Sequence, residues 1–181
     1  YLQQPNPNLQ LFAFIDHLNA AETLAVSHYG AEKVARLNLQ AGQQAQASNA
    51  WHDACAYYQR AALLCPAGKT ALKFDAELGL ASCQYLTQLY EEAGLRCQLL
   101  AEQTTDVLTR MQVAKLQILL LFARNDFVAA FSLAETVLLP VGIDLSQRDD
   151  IAARYLQLEN LYDKNNIAAL YQRPPLSSAE H

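Results

Sequence analysis

At three places in this chain of 181 residues, an aromatic residue lies two positions after a polar turn residue and three positions before an alanine. The three pairs are Trp51 with Ala54, Tyr90 with Ala93, and Phe127 with Ala130. Successive pairs are separated by 39 and 37 positions. A small side chain at a fixed position lets two helices pack at short distance, and the aromatic ring beside it fills the space at the turn. Three such pairs at a nearly constant period predict stacked helical hairpins, each too thin to bury its own apolar face.

Each aromatic residue follows a polar turn residue by two positions, and these turn residues are Asn49, Gln88 and Asn125. Between the turns the composition favours helix, because alanine and leucine dominate while the chain has only 6 Gly and 6 Pro. Strands have little support. With 52% apolar residues, the chain is long enough to bury one continuous core.

The pattern of apolar residues predicts eight helices and a short ninth piece. They are expected over about 9–25, 31–48, 50–65, 70–87, 91–103, 104–123, 127–140, 144–162 and 167–171. Ser48 and Asn49 are predicted to cap the third helix, and Thr104 to Asp106 the sixth. Because Pro5 and Pro7 forbid a regular helix, residues 1–8 are predicted to be a lead-in linker.

These helices predict one all-α domain over residues 9–172, an α-solenoid of antiparallel helical hairpins. The hairpins share helices and are expected at about 9–48, 32–66, 70–103, 104–140 and 147–172, with a tail at 173–181. Since the chain begins at Tyr1 without Met and ends in a Pro-rich tail, we expect it to be a segment of a larger protein.

Charge and cysteine usage limit the class of partner and the compartment. A formal net charge of -5 argues against nucleic acid, which requires clustered Lys and Arg. The most apolar run, from Ile118 to Ala123, is too short to cross a membrane. The four cysteines form no C-x-x-C pair, which predicts reduced thiols and, without a signal peptide, the cytoplasm.

No set of residues predicts catalysis, a metal site or a cofactor. No two of the four histidines share one helical face four positions apart, and the glycines lack the spacing that cradles a phosphate. Cys97 next to Arg96 is the best candidate for a reactive thiol, but a buried structural thiol is the more common case. We therefore expect a protein that is not an enzyme.

One stretch resembles a tetratricopeptide (TPR) repeat. The run Gln40-Ala-Gly-Gln-Gln-Ala45 is followed by Ala54-x3-Tyr58-x2-Ala61-x4-Pro66, which places small, aromatic and Pro residues where that motif has them. The match departs at Asn38, where the motif usually has Trp, and the later units have Cys97 and Ala134 at the second aromatic position. The resemblance implies a right-handed superhelix. Its repeat-packing residues would be Trp51, Ala54, Tyr58, Ala61, Tyr90, Ala93, Phe127 and Ala130.

A second resemblance covers most of the chain. Ile15-Asp-His-Leu-Asn19, the run from Leu37 to Ser48, the run from Tyr57 to Pro66, and Gly142-Ile-Asp-Leu145 are similar to the helical segment after the AAA-type ATPase domain of very large bacterial signalling proteins. Those proteins also carry kinase-like and output domains. The chain contains no G-x-x-x-x-G-K-[ST], H-R-D or D-F-G motif, so the resemblance implies a regulatory interaction segment without the catalytic domains.

In TPR arrays the first helix of each hairpin lines the concave, partner-binding face. Carried over to this chain, the resemblance places eight polar or aromatic residues there: Arg36, Gln43, Gln46, Asp75, Ser82, Tyr85, Lys115 and Phe122. Leu39, Leu78, Gln112 and Leu119 lie among them. The cluster of basic and Asn residues that holds a peptide carboxylate in chaperone-binding TPR domains is missing apart from Lys115, which disfavours a chaperone-tail receptor.

Two functions fit these observations. The first is a protein or peptide interaction segment that couples an ATPase or kinase module to an output domain, with neighbouring domains of the parent chain as partners and self-association possible. The alternative is a domain that senses a small-molecule inducer, as in some ATPase-containing transcription activators. A pocket rich in aromatic residues would favour the sensor, and an open groove would favour protein contacts.

Overall fold

The computed structural model describes the backbone of residues 7–145 and the side chains of residues 11–145, and every regular element in this part of the chain is a helix. The α-helices are α1 (Pro7–Ala20), α2 (Glu22–Tyr29), α3 (Ala31–Ala47), α4 (Trp51–Leu64), α5 (Thr70–Leu86), α6 (Tyr90–Gln103), α7 (Val107–Ala123) and α8 (Phe127–Leu138), followed by a 3-10 helix, η1 (Leu139–Val141). The predicted hairpin at 147–172 and the tail at 173–181 lie outside the described residues.

The chain divides into two compact units, Tyr1–Val137 and Leu138–His181. In the first unit, consecutive helices from α3 to α7 pack against one another, and α3 and α5 also pack against the next helix but one. Helices α1 and α2 pack on each other and on α3. In the described part of the second unit, η1 ends at Gly142, whose φ of 83° is in the left-handed region.

Three helix ends have the same backbone geometry. Asn49, Gln88 and Asn125 have φ values of 59°, 65° and 60°, the left-handed conformation that closes a helix in a Schellman motif. After α3, the N–H of Ala50 donates to the carbonyl of Ala45 at 2.9 Å, and the N–H of Asn49 donates to that of Gln46 at 3.0 Å. The same two bonds recur after α5 and α7. The turns predicted from the sequence period are thus structurally equivalent.

The predicted repeat-packing alanines are buried. Ala54, Ala61 and Ala93 are fully buried, and Ala130 is 1% exposed. The aromatic residues differ more: Trp51 and Tyr90 are half-buried against the core, whereas Phe127 is 57% exposed. The buried alanine is therefore present in all three units, whereas the aromatic residue is more exposed in the third unit, at the start of α8.

Tyr58 occupies the centre of the first packed hairpin. Its ring lies against two glycines on neighbouring helices, since a Cβ added to Gly42 of α3 or to Gly79 of α5 would lie 2.8 Å or 2.6 Å from a ring carbon. The hydroxyl donates to Gln46 Oε1 at 2.7 Å. Contacts of Tyr58 with the middle of α3, together with the short turn at Asn49, require α3 and α4 to run antiparallel.

Three predictions of local structure were wrong in detail. The first helix is not a single element over 9–25, because the backbone at Ala21 (φ -111°, ψ 41°) separates α1 from α2. Helix α1 begins inside the expected linker, at Pro7, since proline is tolerated in a first turn, where its missing N–H would be unpaired anyway. Asn49 does not cap α4: the N-cap is Ala50, without a side-chain bond, because Asn49 closes α3 instead.

The predicted cap of α7 is confirmed. Asp106 is the N-cap residue, and its carboxylate accepts from the backbone N–H of Thr109 at 2.9 Å and from the Thr109 hydroxyl at 2.8 Å. These bonds hold the pKa of Asp106 below its usual value, with the backbone N–H of Thr109 the largest cause. Glu91 and Glu92 lie in the first turn of α6, as expected for carboxylates at the positive end of a helix.

Candidate functional site: the α5–α7 groove

A groove of about 410 Å³ lies along α5 and α7, and we call it the α5–α7 groove. Four of the eight predicted partner-binding residues line it: Gln46, Ser82, Tyr85 and Lys115. The remaining lining residues are mostly leucines, namely Leu78, Leu86, Gln112, Leu116 and Leu119. Residues from three alternate helices thus meet at one surface, since Gln46 belongs to α3.

The polar side chains of the groove are held by contacts with the repeat core. Gln46 accepts from the buried Tyr58 hydroxyl, and the Ser82 hydroxyl donates to the carbonyl of Leu78 at 2.8 Å. Tyr85 contacts Tyr90 with ring centroids 5.8 Å apart and planes tilted by 47°. Each partner lies in the same helix or in the second helix of the same hairpin, so the folding of the hairpins also orients the groove.

Lys115 is the single charged residue among the described residues that line the groove. It is exposed on α7, and among the described residues no carboxylate forms a salt bridge with it. Leucines lie on both sides, at Leu78 of α5 and Leu119 of α7. An uncompensated ammonium beside apolar side chains suits a ligand that presents a carboxylate next to an apolar group.

The other four predicted partner-binding residues lie elsewhere. Arg36 pairs with Glu32 at 2.8 Å, and Glu32 also pairs with Lys69, which together with Arg36 lowers the pKa of Glu32. Gln43 is exposed and lines none of the described grooves. Asp75 lines a separate groove beside the start of α7, where burial raises the pKa of its carboxyl. Phe122 is 48% exposed.

A second groove, of about 480 Å³, lies between α5 and α6, and none of its described lining residues belongs to the first. We call it the α5–α6 groove. Its walls combine an ion pair, Glu77 with Arg96, and two exposed leucines, Leu95 and Leu99. It is completed by Thr70, Lys73, Phe74, Gln84, Glu92, Leu100 and Gln103. Nothing in the spacing of these residues along the sequence predicts this groove.

The sequence also did not predict two polar contacts that hold α1 against α3 and α4. Asn19 and Asn38 exchange amide hydrogen bonds at 2.8 and 2.9 Å, and Asn38 is fully buried. The Tyr57 hydroxyl donates to Asp16 Oδ1 at 2.7 Å, and its ring stacks on Phe12. Asn38 is the position at which the sequence departs from the TPR motif, and this departure is the one signal that marked the site.

The cysteines of the core are neutral thiols at neutral pH. Burial raises the pKa of Cys97 to about 11, and the lowering by neighbouring Arg96 is the smaller effect. Burial likewise raises the pKa of Cys83 to about 12. Because the thiolate is the reactive form of cysteine, the position of Cys97 beside Arg96 does not activate it.

Among the described side chains, no three His, Cys, Asp or Glu residues converge into a group that could hold a metal ion. His17, His28 and His52 are all exposed. None of the helices within residues 7–145 has both the length and the apolar composition needed to cross a membrane.

Comparison with known proteins gives no match: no family model, curated protein or solved structure is similar to this chain. The resemblances to TPR repeats and to ATPase-associated segments therefore remain predictions from the residues that carry them. The geometry of the grooves is the remaining basis for inferring a function.

Proposed function

We propose that the chain is a protein-interaction segment of a TPR-like solenoid, and that it binds an extended peptide of its partner in the α5–α7 groove. As the resemblance to ATPase-associated segments implies, the segment would couple an ATPase or kinase module to an output domain of the same cytoplasmic signalling protein. It has no catalytic role in this proposal.

The observation that supports the proposal is the meeting of Gln46, Ser82, Tyr85 and Lys115 from three alternate helices along one groove. In a solenoid, the first helices of successive hairpins lie side by side and form a continuous surface that no single hairpin possesses. An extended peptide suits such a surface because it contacts several hairpins at once. Among the described residues that line the groove, Tyr85 is the only aromatic one, which favours protein contacts over a small-molecule sensor.

The groove also favours a particular peptide chemistry. The ammonium of Lys115 attracts a carboxylate, and leucines on both walls accept an apolar side chain. Amide and hydroxyl groups of Gln46 and Ser82 offer hydrogen bonds to a peptide backbone. The partner segment is therefore proposed to carry an acidic residue next to a leucine-sized apolar residue.

Selection of random peptides displayed on phage against the full chain tests this site. The selected peptides are expected to combine acidic and apolar residues, and Lys115→Glu is expected to weaken their binding about tenfold or more, since a lost charge-assisted bond becomes a repulsion. Fluorescence anisotropy of labelled peptides measures the change in dissociation constant.

Arg110→Glu is the matched control, because Arg110 is an exposed cation on the same helix outside the groove. It makes the same change in net charge and is expected to alter the dissociation constant by less than about twofold. Equal losses in both variants would show only a general charge effect and would contradict the site. Insensitivity to Lys115→Glu would contradict it as well.

The proposed coupling role has a separate test in the coding sequence on either side of this segment. A P-loop ATPase encoded upstream and an output domain encoded downstream are the expected result. A start codon and a stop codon directly flanking the segment would overturn the coupling role, while leaving the peptide site to be judged by its own experiment.

A further inference from the structure

The α5–α6 groove corresponds to a surface of the preceding hairpin, α3–α4, that α1 and α2 cover. The equivalent turns at Asn49 and Gln88 place residues of α3 and α4 in register with residues 39 positions later. In this register Asn38, Tyr57 and Arg60 correspond to Glu77, Arg96 and Leu99, which all line the α5–α6 groove.

In the earlier hairpin, these three positions contact α1 and α2. Asn38 pairs with Asn19, Tyr57 donates to Asp16, and Arg60 pairs with Glu22. A neighbouring groove position follows the same rule, because Val34 is buried while its counterpart Lys73 is exposed and lines the groove. The open groove thus lies where two helices pack in the preceding hairpin.

The open surface retains an apolar component. Leu95 and Leu99, four positions apart on one face of α6, are 65% and 57% exposed, and Phe74 of α5 lies on the same groove. Arg96 pairs with Glu77, and Arg96 Nε also donates to Gln84 at 3.2 Å, so the charged groups of the free groove satisfy one another. Lys73 and Glu92 remain exposed at its edges.

We propose that the α5–α6 groove is a docking site for an amphipathic helix of a partner protein, packed as α1 and α2 pack on α3 and α4. The proposal is independent of the peptide site in the α5–α7 groove, because the two grooves have no described lining residue in common.

The register also specifies the chemistry of the partner helix. Asp16, Asn19 and Glu22 are spaced by three residues and contact the counterparts of Arg96, Glu77 and Leu99. A helical segment that fits the open groove, with a break before its third contact as at Ala21, therefore carries an acidic residue, a basic residue three positions later and an apolar residue three positions after that. An aromatic residue at the place of Phe12 would stack on the guanidinium of Arg96, as Phe12 stacks on Tyr57.

The chain itself supplies a template for the probe, a peptide of residues 7–29. The matched peptide carries Asn19→Lys, to pair with Glu77, and Glu22→Leu, to contact Leu99. It retains Asp16, which would pair with Arg96. It also carries Ile15→Ala, since Ala45, which belongs to the same buried cluster as Ile15, corresponds one hairpin later to the larger Gln84, which lines the groove. The unsubstituted peptide is the comparison.

Fluorescence anisotropy with the full chain is expected to show binding of the matched peptide about tenfold or more tighter than that of the unsubstituted peptide. Leu99→Lys in the protein is expected to weaken this binding about tenfold, because it removes the apolar contact of the substituted leucine. Leu63→Lys is the control on α4, at a leucine that is 76% exposed outside this groove. It is expected to change the dissociation constant by less than about twofold.

Changes in amide chemical shift on addition of the peptide, measured by NMR of the full chain, locate the bound peptide. Changes at Lys73, Glu77 and Leu99 are the expected result. Shifts confined to Asn38 and Tyr57 would mean that the peptide displaces α1, and shifts confined to the α5–α7 groove would mean that it uses the other site. Either pattern, equal affinity of the two peptides, or no binding up to about 1 mM peptide would overturn the proposal.

Discussion

The hairpins α3–α4 and α5–α6 close with the same turn but fill the space between their helices differently. In the first, a large ring on α4 lies between two residues without side chains, Gly42 of α3 and Gly79 of α5. In the second, the place of Tyr58 is taken by Cys97, and Ala81 and Leu116 take the places of the two glycines. All three of these residues belong to one buried cluster.

The two hairpins share their turn geometry and a buried alanine, Ala54 or Ala93, while the large buried side chains lie on different helices. Cys97 on α6 is smaller than its counterpart Tyr58, and Leu116 on α7 is larger than its counterpart Gly79. Because protein cores are close-packed, such a change is tolerated only when the facing positions change together. A motif read along one helix therefore fails at the second unit even though the packing continues.

Tyr58→Ala is expected to have the largest effect on the comparison. It leaves a cavity between two glycines, neither of which has a side chain to fill it, so we expect a loss of about 3 to 5 kcal/mol in the free energy of unfolding. Urea unfolding measures the loss. Tyr29→Ala, at a ring that is 39% exposed, is the control and is expected to cost less than about 1 kcal/mol. A similar loss for both substitutions would contradict the position of Tyr58 at the centre of the hairpin.

Gly79→Ala is expected to have an effect of intermediate size. The added Cβ would lie 2.6 Å from the Tyr58 ring, so we expect overpacking to cost about 1 to 3 kcal/mol despite the higher helix propensity of alanine. In the other hairpin, Gly94→Ala meets only the end of the Arg124 side chain at 3.6 Å. That variant is expected to gain about 0.5 to 1 kcal/mol. Stabilisation by both substitutions in thermal unfolding would contradict the close contact.

Gln88→Gly is expected to have the smallest effect. Gln88 is in the left-handed conformation, which asparagine adopts in the equivalent turns and which costs other residues more. Relief of this strain should raise the free energy of unfolding by about 0.5 to 1 kcal/mol. Gln98→Gly, at an exposed position inside α6, should lower it by a similar amount. A destabilising Gln88→Gly would argue against the shared turn geometry.

Much of the fold was predictable because its signals are local. Helix type follows from composition and periodicity, and the three turns follow from a polar residue that precedes an aromatic residue by two positions. The buried alanine three positions after each aromatic residue was equally predictable, since it recurs at nearly constant spacing. Asp106 was recognisable as a cap because its role involves only the next three residues.

The contacts that determine the surfaces were not predictable because they join residues distant in sequence without a pattern. Gly79 gave no sign that it faces Tyr58 of another helix, and Asn19 gave no sign that it pairs with Asn38. Half of the predicted partner-binding residues line the α5–α7 groove. Arg36 and Asp75 do not, because the resemblance places residues on a face without saying how far along the helix a groove extends.

The central claim, that α5–α6 repeats α3–α4 with exchanged volumes, is tested most directly by a double-mutant cycle of Tyr58→Cys and Gly79→Leu, which gives the first hairpin two residues of the second. Each single variant should lose about 2 kcal/mol or more in urea unfolding, since one leaves a void and the other overfills the site. The double variant is predicted to recover at least about 1 kcal/mol relative to the sum of the single losses. Additive losses, within about 0.5 kcal/mol, would contradict the repeat.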